Sequence, residues 1–304
     1  MYSHIVFTGG GLSGLSYLGI VRYLQENDFH KHVHEVSGSS IGAFVACLFA
    51  LNIMPDEIEI YLKSFFKEDE NISFSMIDSI MSIADTYGLD DGKRMIKPLK
   101  HFIKKKYGWT EETINFRDFV KKTGVNMVIC ATNIDTRLPV YFNIDNTPEV
   151  CIYDAIQASM SVPIMMSPVI INGEKYVDGG ISDNNPVGGF RKSGQNRILV
   201  VGASPIIPFE HKPDNFISYI SIIMQVMINN SCNIEKLKYM CTSYDVVMLN
   251  KSPIPFLKMD TYDDGTIKIA VSEEDIDNSI AYGYTTMYNF IKTKRGETET
   301  EVIN

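Results

Sequence analysis

Residues 33–52 read VHEVSGSSIGAFVACLFALN. Residues 33–37 mix apolar and polar side chains and read as a short strand. Residues 41–52 are apolar almost throughout and read as a helix. Between them stands Gly38-Ser39-Ser40-Ile41-Gly42, a G-x-S-x-G sequence. A strand, a tight turn with glycine on both sides and a helix make the geometry that lifts a serine hydroxyl out of a fold as a nucleophile. The glycines permit a turn that a side chain would block. The helix that follows points its positive end at Ser40 and favours negative charge there. The plainer reading is a glycine-flanked turn without chemistry. The strand and helix on either side weigh toward a serine hydrolase, with Ser40 as nucleophile and Gly38, Ile41 and Gly42 as its elbow.

An acyl-transferring serine needs donors for the oxyanion of its tetrahedral intermediate. The start of the chain offers them. Residues 4–8 (HIVFT) read as a strand, followed by Gly9-Gly10-Gly11-Leu12-Ser13-Gly14 and a helical run. Consecutive glycines let backbone N–H groups turn toward one point, and the next helix adds its own free N–H groups. Gly9, Gly10, Gly11 and Gly14 are therefore the expected oxyanion-hole residues. The same letters satisfy G-x-G-x-x-G, the dinucleotide fingerprint. That rival needs an acidic residue at the end of the second strand, and Glu35 enters that strand instead of ending it.

The serine also needs a base. The six histidines are His4, His30, His32, His34, His101 and His211. None sits in a turn that advertises catalysis. His30, His32 and His34 alternate, which on an extended segment is metal-ligand spacing, but no cysteine or same-face carboxylate completes the set. His211 alone follows the Ser-Asp-His order of the α/β-hydrolases. A stronger candidate is Asp178 in Val177-Asp178-Gly179-Gly180, where two glycines form a tight turn that presents the carboxylate end-on. The polar loop Ser182-Asp183-Asn184-Asn185-Pro186 lies beside it. Taken alone, Asp-Gly is an ordinary hairpin turn.

Three motifs thus stand in order: GGGLSG at 9–14, GSSIG at 38–42 and DGG at 178–180. A fourth segment, Ala158-Ser159-Met160-Ser161-Val162-Pro163, lies upstream of the last. Together they resemble the patatin-like phospholipase family over residues 4–291. The resemblance implies a three-layer α/β/α sandwich with a mainly parallel central sheet, similar to the catalytic domain of cytosolic phospholipase A2. It also implies a Ser-Asp dyad without histidine, cleaving acyl esters of phospholipids and related lipids with no metal or cofactor. By position Ser40 matches the nucleophile and Asp178 the base, with Gly179 and Gly180 forming its turn. There is one departure. The family usually carries Arg or Lys at the fifth position of the glycine loop, where this chain has Ser13. A catalytically weak or inactive lipid-binding relative, and a Ser-His-Asp esterase using His211, are the alternatives.

Composition sets outer bounds. The chain has 304 residues, of which 45% are hydrophobic, enough for a sizeable core. The site motifs run from 9 to 180 with no linker or repeat between them, so one catalytic domain over residues 1–294 and a polar tail over 295–304 are expected. A net charge of −9 argues against a nucleic-acid or anionic-surface binder. The N-terminus shows no secretory pattern. The five cysteines, Cys47, Cys130, Cys151, Cys232 and Cys241, are scattered and read as reduced thiols of a cytoplasmic or other reducing compartment. No apolar run reaches the roughly 18 residues of a membrane span. Residues 215–229 come nearest, as a buried helix or a lipid-touching lip. Lipid, alone or in a membrane surface, is the expected partner.

Strands are expected at 4–8, 33–38, 125–132, 138–143, 174–177, 197–203 and 245–249. Helices are expected at 12–26, 41–51, 55–67, 92–106, 151–160, 215–241 and 274–293. Residues 60–110, with Phe65, Phe66, Phe74, Met76, Ile77, Ile80 and Met81, read equally as a cap over the site or a helical pair completing the core. The basic run Lys93, Arg94, Lys97, Lys100, Lys104, Lys105 and Lys106 reads first as a solvated helix face, and otherwise as a contact for anionic headgroups.

Overall fold

The computed structural model describes residues 1–68, 73–75, 81, 83–109, 114–191, 197–203, 216–231 and 243–296. The first half of the chain forms β1 (His4–Phe7), α1 (Leu15–Glu26), β2 (Glu35–Ser39), α2 (Ile41–Ala50), α3 (Pro55–Phe65), β3 (Ser73–Ser75), β4 (Gly88–Asp90), α4 (Lys97–Tyr107), α5 (Phe116–Thr123), β5 (Asn126–Asn133) and β6 (Leu138–Phe142). The second half forms α6 (Ile152–Met160), β7 (Ile164–Met166), β8 (Val169–Ile171), β9 (Glu174–Asp178), β10 (Arg197–Ala203), α7 (Phe216–Ser231), β11 (Ser243–Leu249), β12 (Met259–Thr261), β13 (Thr266–Ile269) and α8 (Glu273–Lys294).

The central sheet has the order β11-β10-β1-β2-β5-β9-β8, with β6 also paired to β5. From β11 to β5 every pairing is parallel, and β6, β8 and β9 add an antiparallel end. The strands alternate their side chains between two cores, as the period of two requires. Ile5, Phe7, Met127, Ile129, Leu199 and Val201 enter the larger core, built with α1, α2, α3, α4, α6 and α8. Val6, Val128, Ile198 and Val200 enter a smaller one, closed among the described residues by Val187 and Phe190. The larger core draws residues from Tyr2 to Ile291. This is the expected α/β architecture, a mainly parallel sheet with helices around it.

Local chemistry accounts for the helix ends. Pro55 opens α3 with Asp56 and Glu57 in its first turn, where acids suit the positive end. Ser272 and Asp275 form a reciprocal capping box on α8. Helices α1 and α8 cross with their backbones in contact. A Cβ on Gly19 would strike the Ile280 carbonyl, and one on Gly283 would strike the Ser16 carbonyl.

Several expectations shift. The second strand begins at Glu35 rather than 33, and a short 3-10 turn, Phe29–His32, precedes it. His30, His32 and His34 therefore do not share an extended face. The expected helix at 92–106 divides into a 3-10 turn, Lys93–Ile96, and α4, because Pro98 in the first turn of α4 lacks an N–H. Helix α5, capped by Asn115, and strands β3, β4, β7, β8, β12 and β13 had no counterpart in the sequence reading. The expected helix at 215–241 is described only as α7, and residues 232–241 lie outside the described residues. Phe65 and Phe66 belong to the main core. Met76, Ile77 and Ile80 and the side chain of Phe74 lie outside the description. The basic run is largely engaged at the surface: Lys93 pairs with Asp91, Lys105 with Glu57, and Lys106 donates to the Asn52 carbonyl.

Candidate active site

Ser40 sits at the junction of β2 and α2 with φ 55° and ψ −131°. A non-glycine residue rarely adopts such a conformation unless its surroundings hold it there. Close backbone approach explains the flanking glycines. A side chain on Gly38 would meet the Gly42 and Ala43 backbone, and one on Gly42 would meet the Phe7 and Thr8 carbonyls. The strained turn is also pinned from outside. Ser40 N–H donates to Ser159 Oγ at 2.9 Å, and the Ser159 hydroxyl donates to the Cys130 carbonyl at 2.5 Å. Ser159 lies at the end of α6 and is fully buried.

The register of β5 places Asp178. Strand β2 pairs with residues 126–130 of β5, and β9 pairs with residues 131–133. Strand β6 overlaps both stretches, so it holds the opposite edge of β5. Strands β2 and β9 therefore share one edge and run toward each other. Ser39 pairs with Cys130 and Asp178 with Ala131, neighbouring positions on the same strand. This brings together residues 138 apart in sequence: Ser40 Oγ–H donates to Asp178 Oδ2 at 2.6 Å. Gly180 N–H donates to Oδ1 at 2.7 Å, Asp178 N–H donates to the Ser161 carbonyl, and Thr132 Oγ1 donates to the Asp178 carbonyl. Ser40 is 5% exposed and Asp178 is wholly buried. Burial pushes the Asp178 carboxyl up to about 7, against the opposing pull of the hydrogen bonds from Ser40 and Gly180.

The glycine loop lies against this pair, and its members differ in what they do. Gly9 N–H donates to Asn184 Oδ1 at 2.7 Å, and Asn184 Nδ2 donates back to the Gly9 carbonyl at 3.3 Å. One buried amide thus clamps the peptide groups of the loop from the segment after the DGG turn. Gly14 makes room for Ile41, whose side chain would overlap any Cβ there. Gly10 and Gly11 N–H have no acceptor among the described residues, and Gly11 lines the same cavity as Ser40. Ser13 is buried, its hydroxyl donating to the Ile254 carbonyl at 3.2 Å.

Ser40 opens into a cavity of about 980 Å³, its open mouth included. Among the described residues six methionines line it: Met95, Met160, Met165, Met166, Met224 and Met259. Its only charged lining residues among the described ones are Asp90 and Arg94, which pair with each other at 2.8 Å. Part of the wall comes from elements without a counterpart in the sequence pattern: Asp90 on β4, Met165 and Met166 on β7, Met259 on β12 and Ile269 on β13.

None of the five described histidines lines this cavity. His4 pairs with Glu35 at 3.1 Å where β1 and β2 begin, at the far end of the strands from Ser40. That pair also uses the carboxylate the dinucleotide reading would need. His101 packs on Tyr61. His211 lies outside the described residues. Two residues at the site had no assigned role in the sequence reading, Ser159 and Asn184. Their signal was present, since each is a polar residue inside a quoted motif segment, but one chain alone does not say what they bond.

The fold and this geometry define a class: α/β proteins with a serine on a strand-helix elbow, hydrogen-bonded to a buried carboxylate beneath an apolar cavity. A family model described as patatin-like phospholipase matches residues 5–191, more than half of the chain. The chain belongs to the patatin-like phospholipase family. It is 27% identical over 192 residues to a probable lipid hydrolase, 463L, of Invertebrate iridescent virus 6, covering 61% of this chain and 62% of that protein. It is 28% identical over 209 residues to lysophospholipase NTE1 of Meyerozyma guilliermondii, covering 66% of this chain and 12% of that protein. Among solved structures, VipD of Legionella pneumophila is similar with a TM-score of 0.48 at 16% identity, covering 96% of this chain and 67% of that one. The match thus spans less than two thirds of both sequence relatives.

Proposed function

We propose that this protein is a lipid acyl hydrolase acting through an acyl-serine intermediate, with residues 1–294 as its catalytic unit. One observation carries the reading: Ser40 Oγ lies 2.6 Å from a buried Asp178 carboxylate at the foot of an apolar cavity. Ser40 Oγ attacks the ester carbonyl as its proton passes to Asp178. The Gly10 and Gly11 N–H groups hold the developing oxyanion, while Asn184 keeps the loop in place through Gly9. Asp178 returns the proton to the leaving alcohol as the carbonyl reforms. Water then attacks the acyl-serine, giving its proton to Asp178; the bond from Ser40 Oγ to the acyl carbon breaks, Oγ takes the proton back from Asp178 and the free acid is released. A carboxyl raised to about 7 suits both directions of transfer near neutral pH. These steps use only side chains and backbone groups of the chain.

Family membership and the names of the relatives support a lipid ester as substrate. The yeast relative's name makes a lysophospholipid the first to assay. The deciding experiment joins a fluorophosphonate probe with hydrolysis of a lipid panel. Wild type is expected to label and hydrolyse, and Ser40→Ala to do neither. Failure of folded wild type to label overturns the reading in favour of a non-catalytic lipid binder. Loss of activity in a folded His211→Ala protein replaces the dyad with a triad.

A further inference from the structure

Helix α7 carries apolar side chains on two adjoining sides, with Asn229 and Asn230 exposed at its end. Ile220, Met224 and Ile228 are buried, and the first two line the cavity above Ser40. On the other side Tyr219, Ile223, Val226 and Met227 are 51%, 41%, 46% and 37% exposed. Their spacing places them on one helical face. None of the 16 residues is charged, in a chain where charged residues make up 21%. A water-facing helix ordinarily turns a charged or polar face outward, as Lys100, Lys104 and Lys105 do on α4. Scattered exposed apolar side chains need no explanation. Four along one face, on the wall of a cavity, are not scattered.

The far end of α7 is fastened to the site. Ser231 Oγ donates to the Gly180 carbonyl, and Ile228 packs against Gly180 in the turn that holds Asp178. The helix thus has one side on the cavity, one end on the DGG turn and one side in solvent.

We propose that the outer face of α7 docks on a lipid surface of zero net charge and seats the cavity mouth at its hydrocarbon boundary. Three observations select this occupant. The face is uncharged on a chain of net charge −9, which matches a zwitterionic layer and disfavours an anionic one. Four side chains fall far short of the roughly 20–30 residues a side of a stable protein interface, so a second copy is a poor fit. They suffice for a helix lying in the plane of a layer with its apolar side sunk about 5–10 Å. The adjoining side of the same helix lines the cavity, so an acyl chain passes from layer to cavity without crossing open water. The occupancy of the cavity rests on the acyl-hydrolase reading, whereas the docking itself does not.

The test measures two things on wild type and on Ile223→Glu/Val226→Glu: co-sedimentation with phosphatidylcholine vesicles, and hydrolysis of vesicle lipid beside hydrolysis of dissolved p-nitrophenyl butyrate. Neither substituted residue lines the cavity. Wild type is expected to bind vesicles, and the variant to bind and hydrolyse them at least about tenfold less, with the soluble ester cleaved at the wild-type rate. The milder Val226→Ser provides a folded comparison and is expected to fall between the two. Quenching of Val226→Trp by brominated acyl chains, above the Trp109 background, is the second measurement. Wild type that ignores vesicles, or a folded variant that binds them undiminished, overturns the proposal. So does a wild-type dimer that the glutamates dissociate. If wild type binds vesicles but cleaves neither substrate, docking stands and the hydrolase reading falls.

Discussion

Asp178 is a wholly buried carboxylate. Its carboxyl is raised to about 7 by burial, so it shares in setting the pH response. The base form dominates only above that value, and kcat/KM for a soluble ester is expected to rise with pH and reach half its plateau near 7. A limb near 4 instead would mean a solvated base. The stability sign is opposite. A carboxyl raised in the folded state favours folding below its unfolded value of 3.8, and that contribution is lost as pH rises through about 7. Asp178→Asn is therefore expected to abolish turnover, by about 10⁴ or more, yet to melt above wild type at pH 8, the gain vanishing toward pH 4. Calorimetry across that range checks it. Ser159→Ala leaves the buried Ser40 N–H without its acceptor, a loss of about 1–3 kcal/mol, and is expected to lower kcat with little change in KM. Asn184→Ala releases the Gly9 clamp and is expected to lower kcat about 10²-fold. The Gln variant, which keeps the amide, recovers part of that rate, as steady-state kinetics would show.

Among the elements, what was legible depended on length and pattern. Strand β2, helix α2 and strand β10 are long, strongly patterned and bounded by glycine or polar residues, and the sequence places them within two residues. Strands β3, β4, β7, β8 and β12 have three residues each, too few for any period to register. They matter because β4, β7 and β12 bring Asp90, Met165, Met166 and Met259 to the cavity wall. The Ser40 and Asp178 motifs were readable as turns. That β9 takes over the edge of β5 where β2 stops was not, because pairing partners leave no mark in either strand alone. The α1–α8 crossing is similar: Gly19 and Gly283 look like helix weak points in sequence, and the close approach of two backbones explains them. Gly283→Val is expected to cost about 1–3 kcal/mol in urea unfolding, with the kcat of the folded fraction unchanged, since α8 does not line the cavity.

At the scale of the whole molecule, the parallel strands put their carboxyl ends on one side, and the candidate site lies there, where open α/β sheets hold ligands. The opposite end holds the buried His4–Glu35 pair. The cavity is lined by flexible thioethers, a surface that adapts to differently shaped apolar ligands. Broad tolerance for acyl length and unsaturation is therefore expected. Met224→Trp, which adds bulk on the α7 wall, is expected to shift the ratio of kcat/KM for long over short acyl esters down by about tenfold. A chain-length series would show it, and an unshifted ratio would place the acyl chain elsewhere.

The head-on meeting of β2 and β9 has a consequence for how such a chain tolerates change. Two adjoining rungs on β5 hold serine and aspartate together, so the polypeptide between them acts as tether and not as ruler. The hairpin tip at Asn172 and Gly173, where the backbone turns left-handed at the distal end of β9, is one place where extra residues would lengthen the tether and leave both rungs where they are.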